Sequence, residues 1–166
     1  SKPNSHWWHE RRRCLAACVA LIPEIKREHL FAICFQLLLC PMIDNLHDTE
    51  SGQLNDHAVW NRAGSLAAWD MYLNMEDESV SPYAAAQRAR DLANLPSAFI
   101  SVGEVDLFLD ENLIYANRLK QSGNVCEIRT YSSVFHDGEI AGSHTQISKR
   151  MIGDYVTALK NAFNSK

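Results

Sequence analysis

The stretch S-A-F-I-S-V-G-E-V-D-L-F-L-D-E, running from Ser97 to Glu111, decides how this chain folds. Ala98 to Val102 is a short apolar run and reads as a strand buried on both faces. Asp106 follows just past the end of that strand. Asp110 to Gln121 then reads as a helix, stopped by Gly123. The next apolar run, Cys126 to Tyr131, is a further strand, and His136 follows just past it. An acid and an imidazole thus leave the ends of two strands on the same rim of a sheet.

Working outward, Phe31 to Leu39 is a mostly apolar run ending at Cys40-Pro41, read as another strand buried on both faces. Residues Cys14 to Glu28 carry helical periodicity through Leu15, Cys18, Val19 and Ile22, with Pro23 expected to kink or shorten the helix. Pro41 to Asp56 is polar and turn-rich, hence a loop. Asp56 to Leu73 reads as a helix with an apolar stripe of Trp60, Leu66, Trp69 and Leu73, core side chains rather than a ligand platform. A short helix is expected around Ala84 to Leu92. In the last helix, His144 to Phe163, residues Ile147, Met151, Tyr155 and Leu159 share one face. Strands alternating with helices imply βαβ crossovers, and so an α/β fold of about three mostly parallel strands flanked by helices. Three strands are few for a doubly wound sheet.

The 166 residues amount to one domain able to bury a core. A net charge of −4, with basic residues scattered apart from Arg11 to Arg13, argues against a nucleic-acid partner. The arginine run reads as a solvated arm. Five cysteines, Cys14, Cys18, Cys34, Cys40 and Cys126, form no C-x-x-C pair and read as reduced, structural thiols. Leu30 to Met42 is too short to span a bilayer, and the polar, Trp-rich N-terminus does not read as a signal peptide. These features together lead to an expectation of a cytoplasmic protein with no membrane contact.

An Asp hydrogen-bonded to one imidazole nitrogen fixes the tautomer, leaving the other nitrogen to accept a proton from a nucleophile. On spacing alone, the favoured reading is that Asp106 caps the following helix and His136 is a surface loop residue. The wording around them adds a resemblance. The motifs are Phe35-Gln36-Leu37-Leu38-Leu39-Cys40-Pro41-Met42, Asp56-His57-Ala58-Val59-Trp60-Asn61, Ser81-Pro82-Tyr83-Ala84, Val102-Gly103-Glu104-Val105-Asp106-Leu107-Phe108 and Phe135-His136. In order and spacing they resemble bacterial esterases of the hormone-sensitive lipase family, over about nine-tenths of the chain. The resemblance implies the C-terminal portion of an α/β-hydrolase fold, with Asp106 as triad acid, His136 as triad base and short-acyl esters as substrates of the intact family. Asp110 and His144 are the nearest rivals, Asp110 being also a first-turn acid favoured by the helix dipole.

The same resemblance implies loss. The family's oxyanion loop and first strands have no counterpart here, and the G-x-S-x-G turn aligns with Trp7 to Cys14, where Arg11 holds the serine position. A permanently cationic guanidinium cannot serve as acyl acceptor. Trp7-Trp8, each encoded only by TGG, force Gly-Gly when read one base later. The segment from Ser1 to Arg13 can then encode P-S-R-I-A-I-G-G-T-S-A-G-G, which resembles the family's strand and elbow. Residues 1–13 are therefore expected to be a frameshifted, non-native or disordered arm, and residues 14–166 a partial hydrolase domain.

Half a sheet leaves the strand at Phe31 to Leu39 with an open edge, which favours a homo-oligomer. Cys126 to Tyr131 is the rival interface, since in the family the last strand and helix commonly carry dimer contacts. The chain alone is expected to be inactive as an ester hydrolase. The alternative is a non-catalytic binding or assembly protein on a degenerate hydrolase fold; a third reading is an enzyme completed by a partner chain. No cofactor is expected. His47-Asp48 and His57 lack convergent spacing for a metal and read as surface polar residues.

Overall fold

The computed structural model describes residues 14–22, 33–54, 59–73 and 80–164. The expected arm over residues 1–13, and the kink at Pro23, lie outside the described residues. Residues 14–20 form helix α1. Strand β1 is Gln36–Leu39, helix α2 Arg62–Leu73, strand β2 Ala98–Gly103 and helix α3 Leu109–Gln121. Strand β3, Cys126–Tyr131, is followed by the single turn α4, Gly138–Ala141, and by helix α5, Gln146–Asn164.

The strands form one parallel sheet in the order β1-β2-β3. Leu38, Ile100 and Ile128 stand side by side in the register. All six residues of central β2 are buried, as its near-continuous apolar sequence demands. One face carries the main core. There Leu38 and Ile100 pack with Cys14, Ala17, Cys18 and Leu21 around α1, and with Tyr115, Ala116 and Leu119 of α3. On the other face a smaller cluster of Tyr131, Val134 and Met151, with Ile147 against it, anchors α5.

Several expectations are corrected. Among the described residues the first strand is Gln36–Leu39, shorter than the expected Phe31 to Leu39: residues 33–35 are not part of it, and Leu37 and Leu39 are only half-buried. Of the α5 stripe, Met151 is buried while Ile147, Tyr155 and Leu159 remain half-exposed. The expected helix at Ala84 to Leu92 is reduced to a single 3-10 turn at Ala86–Arg88. Backbone carbonyls there serve other partners: Arg118 donates to the Gln87 carbonyl oxygen at 2.6 Å and also to that of Ala89. Trp60 precedes α2 rather than belonging to it, and packs half-buried against the core, whereas Trp69 is buried within the helix. The five cysteines are thiols rather than disulfides, but Cys34 is exposed and so is no core residue.

The end of α3 follows the stop signal read from Gly123, whose φ of 84° is open to glycine and costly to other residues. The Gly123 and Asn124 amides donate to the Lys120 and Leu119 carbonyls, both at 3.0 Å. Asn124 then ties three segments together. Its Nδ2 donates to the Leu92 and Leu119 carbonyls at 2.7 and 3.0 Å, and its Oδ1 accepts the Leu95 amide at 2.8 Å.

Candidate active site

The strand ends deliver Asp106 and His136 to one rim of the sheet. After β2 the chain turns through Glu104 and Val105, whose amides donate to the Tyr131 and Val134 carbonyls at 2.9 and 3.1 Å. The two post-strand loops therefore run against each other. Gly103 permits this, because a Cβ there would sit 2.6 Å from the Val134 carbonyl carbon. Ser133 and Asp137, with φ of 60° and 58°, bend the second loop back on either side of His136.

His136 Nδ1 lies 2.9 Å from Asp106 Oδ2, and the two residues are 3% and 1% exposed. Asp106 Oδ1 accepts the Phe108 amide at 3.0 Å, so the carboxylate is held from both sides. Asp106 thus performs the local turn function and also meets the imidazole. His136 is buried, which excludes a surface role. With Nδ1 donating to the carboxylate, Nε2 is the nitrogen left to take a proton from a nucleophile. The rivals stand otherwise. Asp110 Oδ2 accepts the Ser51 amide at 2.8 Å, its own amide donates to Ser51 Oγ at 3.0 Å, and His144 is exposed.

Aromatic rings complete the surroundings. Phe108 meets His136 edge-on with centroids 5.2 Å apart, and Trp60 lies tilted 6.1 Å from the same imidazole. Phe108 also stacks on His47, with centroids 6.2 Å apart. His47 is therefore no surface residue: it is 1% exposed, and neither ring nitrogen has a hydrogen-bond partner among the described residues. Burial, aided by the Arg62 charge, lowers its pKa to about 4, so the ring is neutral at pH 7. His57 lies outside the described residues.

The loop after β1 is fastened beneath this site by α3. Glu111 accepts the Ile43 and Asp44 amides at 2.7 and 3.3 Å, and Asn112 donates to the Pro41 carbonyl at 3.0 Å. Burial raises the Glu111 carboxyl well above the usual range, with the Ile43 amide opposing the shift. Asp44 is also raised by burial, while its ion pair with Arg88 at 2.5 Å works against that. The loop brings Cys40 into the site. Cys40 Sγ, an Asp106 oxygen and a His136 ring nitrogen all lie within 4.8 Å of one another, as do ligand atoms of Cys40, Asp137 and Glu139. Sequence reading missed Cys40 because its partners are remote in the chain, and only its strand-end position hinted at the rim.

Two post-strand loops presenting a buried Asp–His pair on a parallel sheet define the rim of a hydrolase-type α/β fold. Residues 14–139 match the sequence profile of the alpha/beta hydrolase fold family, and the chain belongs to that family. It is similar to a structure of a bacterial heroin esterase, with 31% identity and a TM-score of 0.81 over 90% of this chain. Likeness extends to esterase LipW from Mycobacterium marinum, at 28% identity and TM-score 0.84 over 93% of this chain. A thermostable esterase from Pseudomonas putida matches at 29% identity and TM-score 0.71 over 81% of this chain. The chain spans 48% of the length of each of the first two and 44% of the third. No curated protein sequence matches this one. No helix among the described residues is long and apolar enough to cross a membrane.

Proposed function

We propose that this chain carries the acid–base part of a Ser-His-Asp carboxylesterase of the hormone-sensitive lipase type, whose whole form acts on short-acyl esters. His136 is the general base and Asp106 the acid that orients it. The observation that carries this reading is the 2.9 Å contact between two buried side chains leaving successive parallel strands. The esterase likenesses support the same chemistry. In the complete reaction a serine attacks the ester carbonyl as His136 Nε2 takes its proton. The imidazolium then returns that proton to the leaving alkoxide, and a water repeats the cycle on the acyl-enzyme.

Arg11 stands where the resemblance places the serine, so the chain by itself is inactive. Hydrolysis of p-nitrophenyl acetate and butyrate, compared with His136→Ala, tests this. The expected result is no difference between the two proteins; turnover that depends on His136 overturns the inactivity. Among the described residues β1 pairs on one side only, with β2, which supports a homo-oligomer joined through that edge. A monomer in sedimentation contradicts that assembly. The same open edge also favours the second reading, a binding or assembly protein. Cysteines kept as thiols support a reducing, cytoplasmic setting.

A further inference from the structure

We infer that Cys40, His136 and Asp106, with Asp137 beside the sulfur, form a binding site for a thiophilic divalent cation, zinc in type. Three chemically different donors converge there: a thiol, an imidazole and a carboxylate, with one ligand atom of each inside a 4.8 Å span. All belong to buried residues: Cys40 is 5%, Asp106 1% and His136 3% exposed. Asp137 supplies a further oxygen, its Oδ1 lying 3.8 Å from the same sulfur. Sulfur and imidazole together select zinc over the oxygen-seeking magnesium and calcium.

The donors stand on a fixed frame. Cys40 is held at the end of β1 by its amide, which donates to the Ser101 carbonyl at 2.6 Å. Asp106 is fixed by the Phe108 amide at 3.0 Å, and His136 by the Phe108 ring edge. Zinc bonds of about 2.0–2.3 Å place neighbouring tetrahedral donors roughly 3.3–3.8 Å apart. The observed span closes to that by side-chain adjustment of about 1 Å. Cys40 releases its thiol proton to solvent as the metal–sulfur bond forms. A cation here occupies the imidazole that the esterase reading requires as a base, so the metal is an inhibitor rather than a cofactor. Binding itself does not depend on that reading, and its test needs no ester.

The test titrates the full chain with cobalt(II), then displaces it with zinc. The expected result is a thiolate-to-cobalt charge-transfer band in the near ultraviolet that zinc abolishes at one equivalent. Cys40→Ser should remove the band and weaken zinc binding at least about tenfold, as loss of a ligand should. His136→Ala should weaken zinc comparably without touching the thiol, which keeps the test valid if the Cys40 variant is poorly folded. Cys34→Ser, changing an exposed thiol outside the site, should alter neither. Absence of the band in the unaltered chain, its survival in folded Cys40→Ser, undiminished zinc affinity in His136→Ala, or its loss in Cys34→Ser overturns the proposal.

Discussion

Gly103 lies so near Val134 that any side chain there would strike the Val134 carbonyl group. This contact brings the loop after β3 against the loop after β2, and with it His136 against Asp106. Gly103→Ala must push the two loops apart. We expect a loss of about 1–3 kcal/mol, the usual range for overpacking, visible as a lower denaturant midpoint. Gly123→Ala, where a Cβ meets nothing within 4 Å, should cost less than Gly103→Ala and leave the His136 environment unchanged.

Glu111 separates a buried charge from a buried acceptor. Burial raises its pKa, so the carboxylate form is disfavoured in the folded chain. The sign follows: stability is full below the unfolded pKa and falls as pH rises towards the raised folded value. Glu111→Gln keeps an acceptor for the Ile43 amide without a charge, and should remove that pH dependence. Glu111→Ala should cost about 1–3 kcal/mol, because it orphans the buried Ile43 and Asp44 amides. Denaturant midpoints measured across pH 5 to 9 read both.

His47 acts in the opposite direction. Its folded pKa of about 4 lies below the ordinary 6.5, so the unfolded chain binds more protons between those values. Stability from this group is full above pH 6.5 and falls as pH drops towards 4, by at most about 3 kcal/mol. His47→Leu, replacing a ring whose nitrogens lack hydrogen-bond partners among the described residues, should abolish this loss and cost little at neutral pH. Thermal melts at pH 4.5 and 7.5 for both proteins check it.

Asn124 is a polar clamp at the foot of the sheet. Asn124→Ala removes three hydrogen bonds to backbone groups of Leu92, Leu95 and Leu119. The expected cost is about 1–3 kcal/mol, with faster hydrogen exchange at the Leu95 amide. Unchanged exchange there would show that the segment is held by something else.

What was legible in the sequence follows from the range of the forces involved. The strands at Ala98 and Cys126 and the helices beginning at Leu109 and Gln146 announce themselves by local apolar period and by Gly123. Asp106 and His136 were readable because strand ends and motif wording place them on one rim. His47 was misread as a surface residue because its burial depends on Phe108, a partner 61 positions away. Cys40 was missed as a neighbour of His136 for the same reason. Ala84 to Leu92 carries helix-forming residues, yet Arg118 and Asn124 claim its carbonyls and leave one short turn. Local propensity could not show those tertiary hydrogen bonds.

The central claim is that Asp106 fixes which nitrogen of His136 carries the proton. Side-chain 1H–15N NMR of the full chain, recorded near neutral pH with and without Asp106→Asn, measures this directly. The account predicts the proton on Nδ1 in the unaltered protein, shifting towards the Nε2–H tautomer in Asp106→Asn. A ring already protonated at Nε2, or a spectrum indifferent to Asp106→Asn, would contradict it.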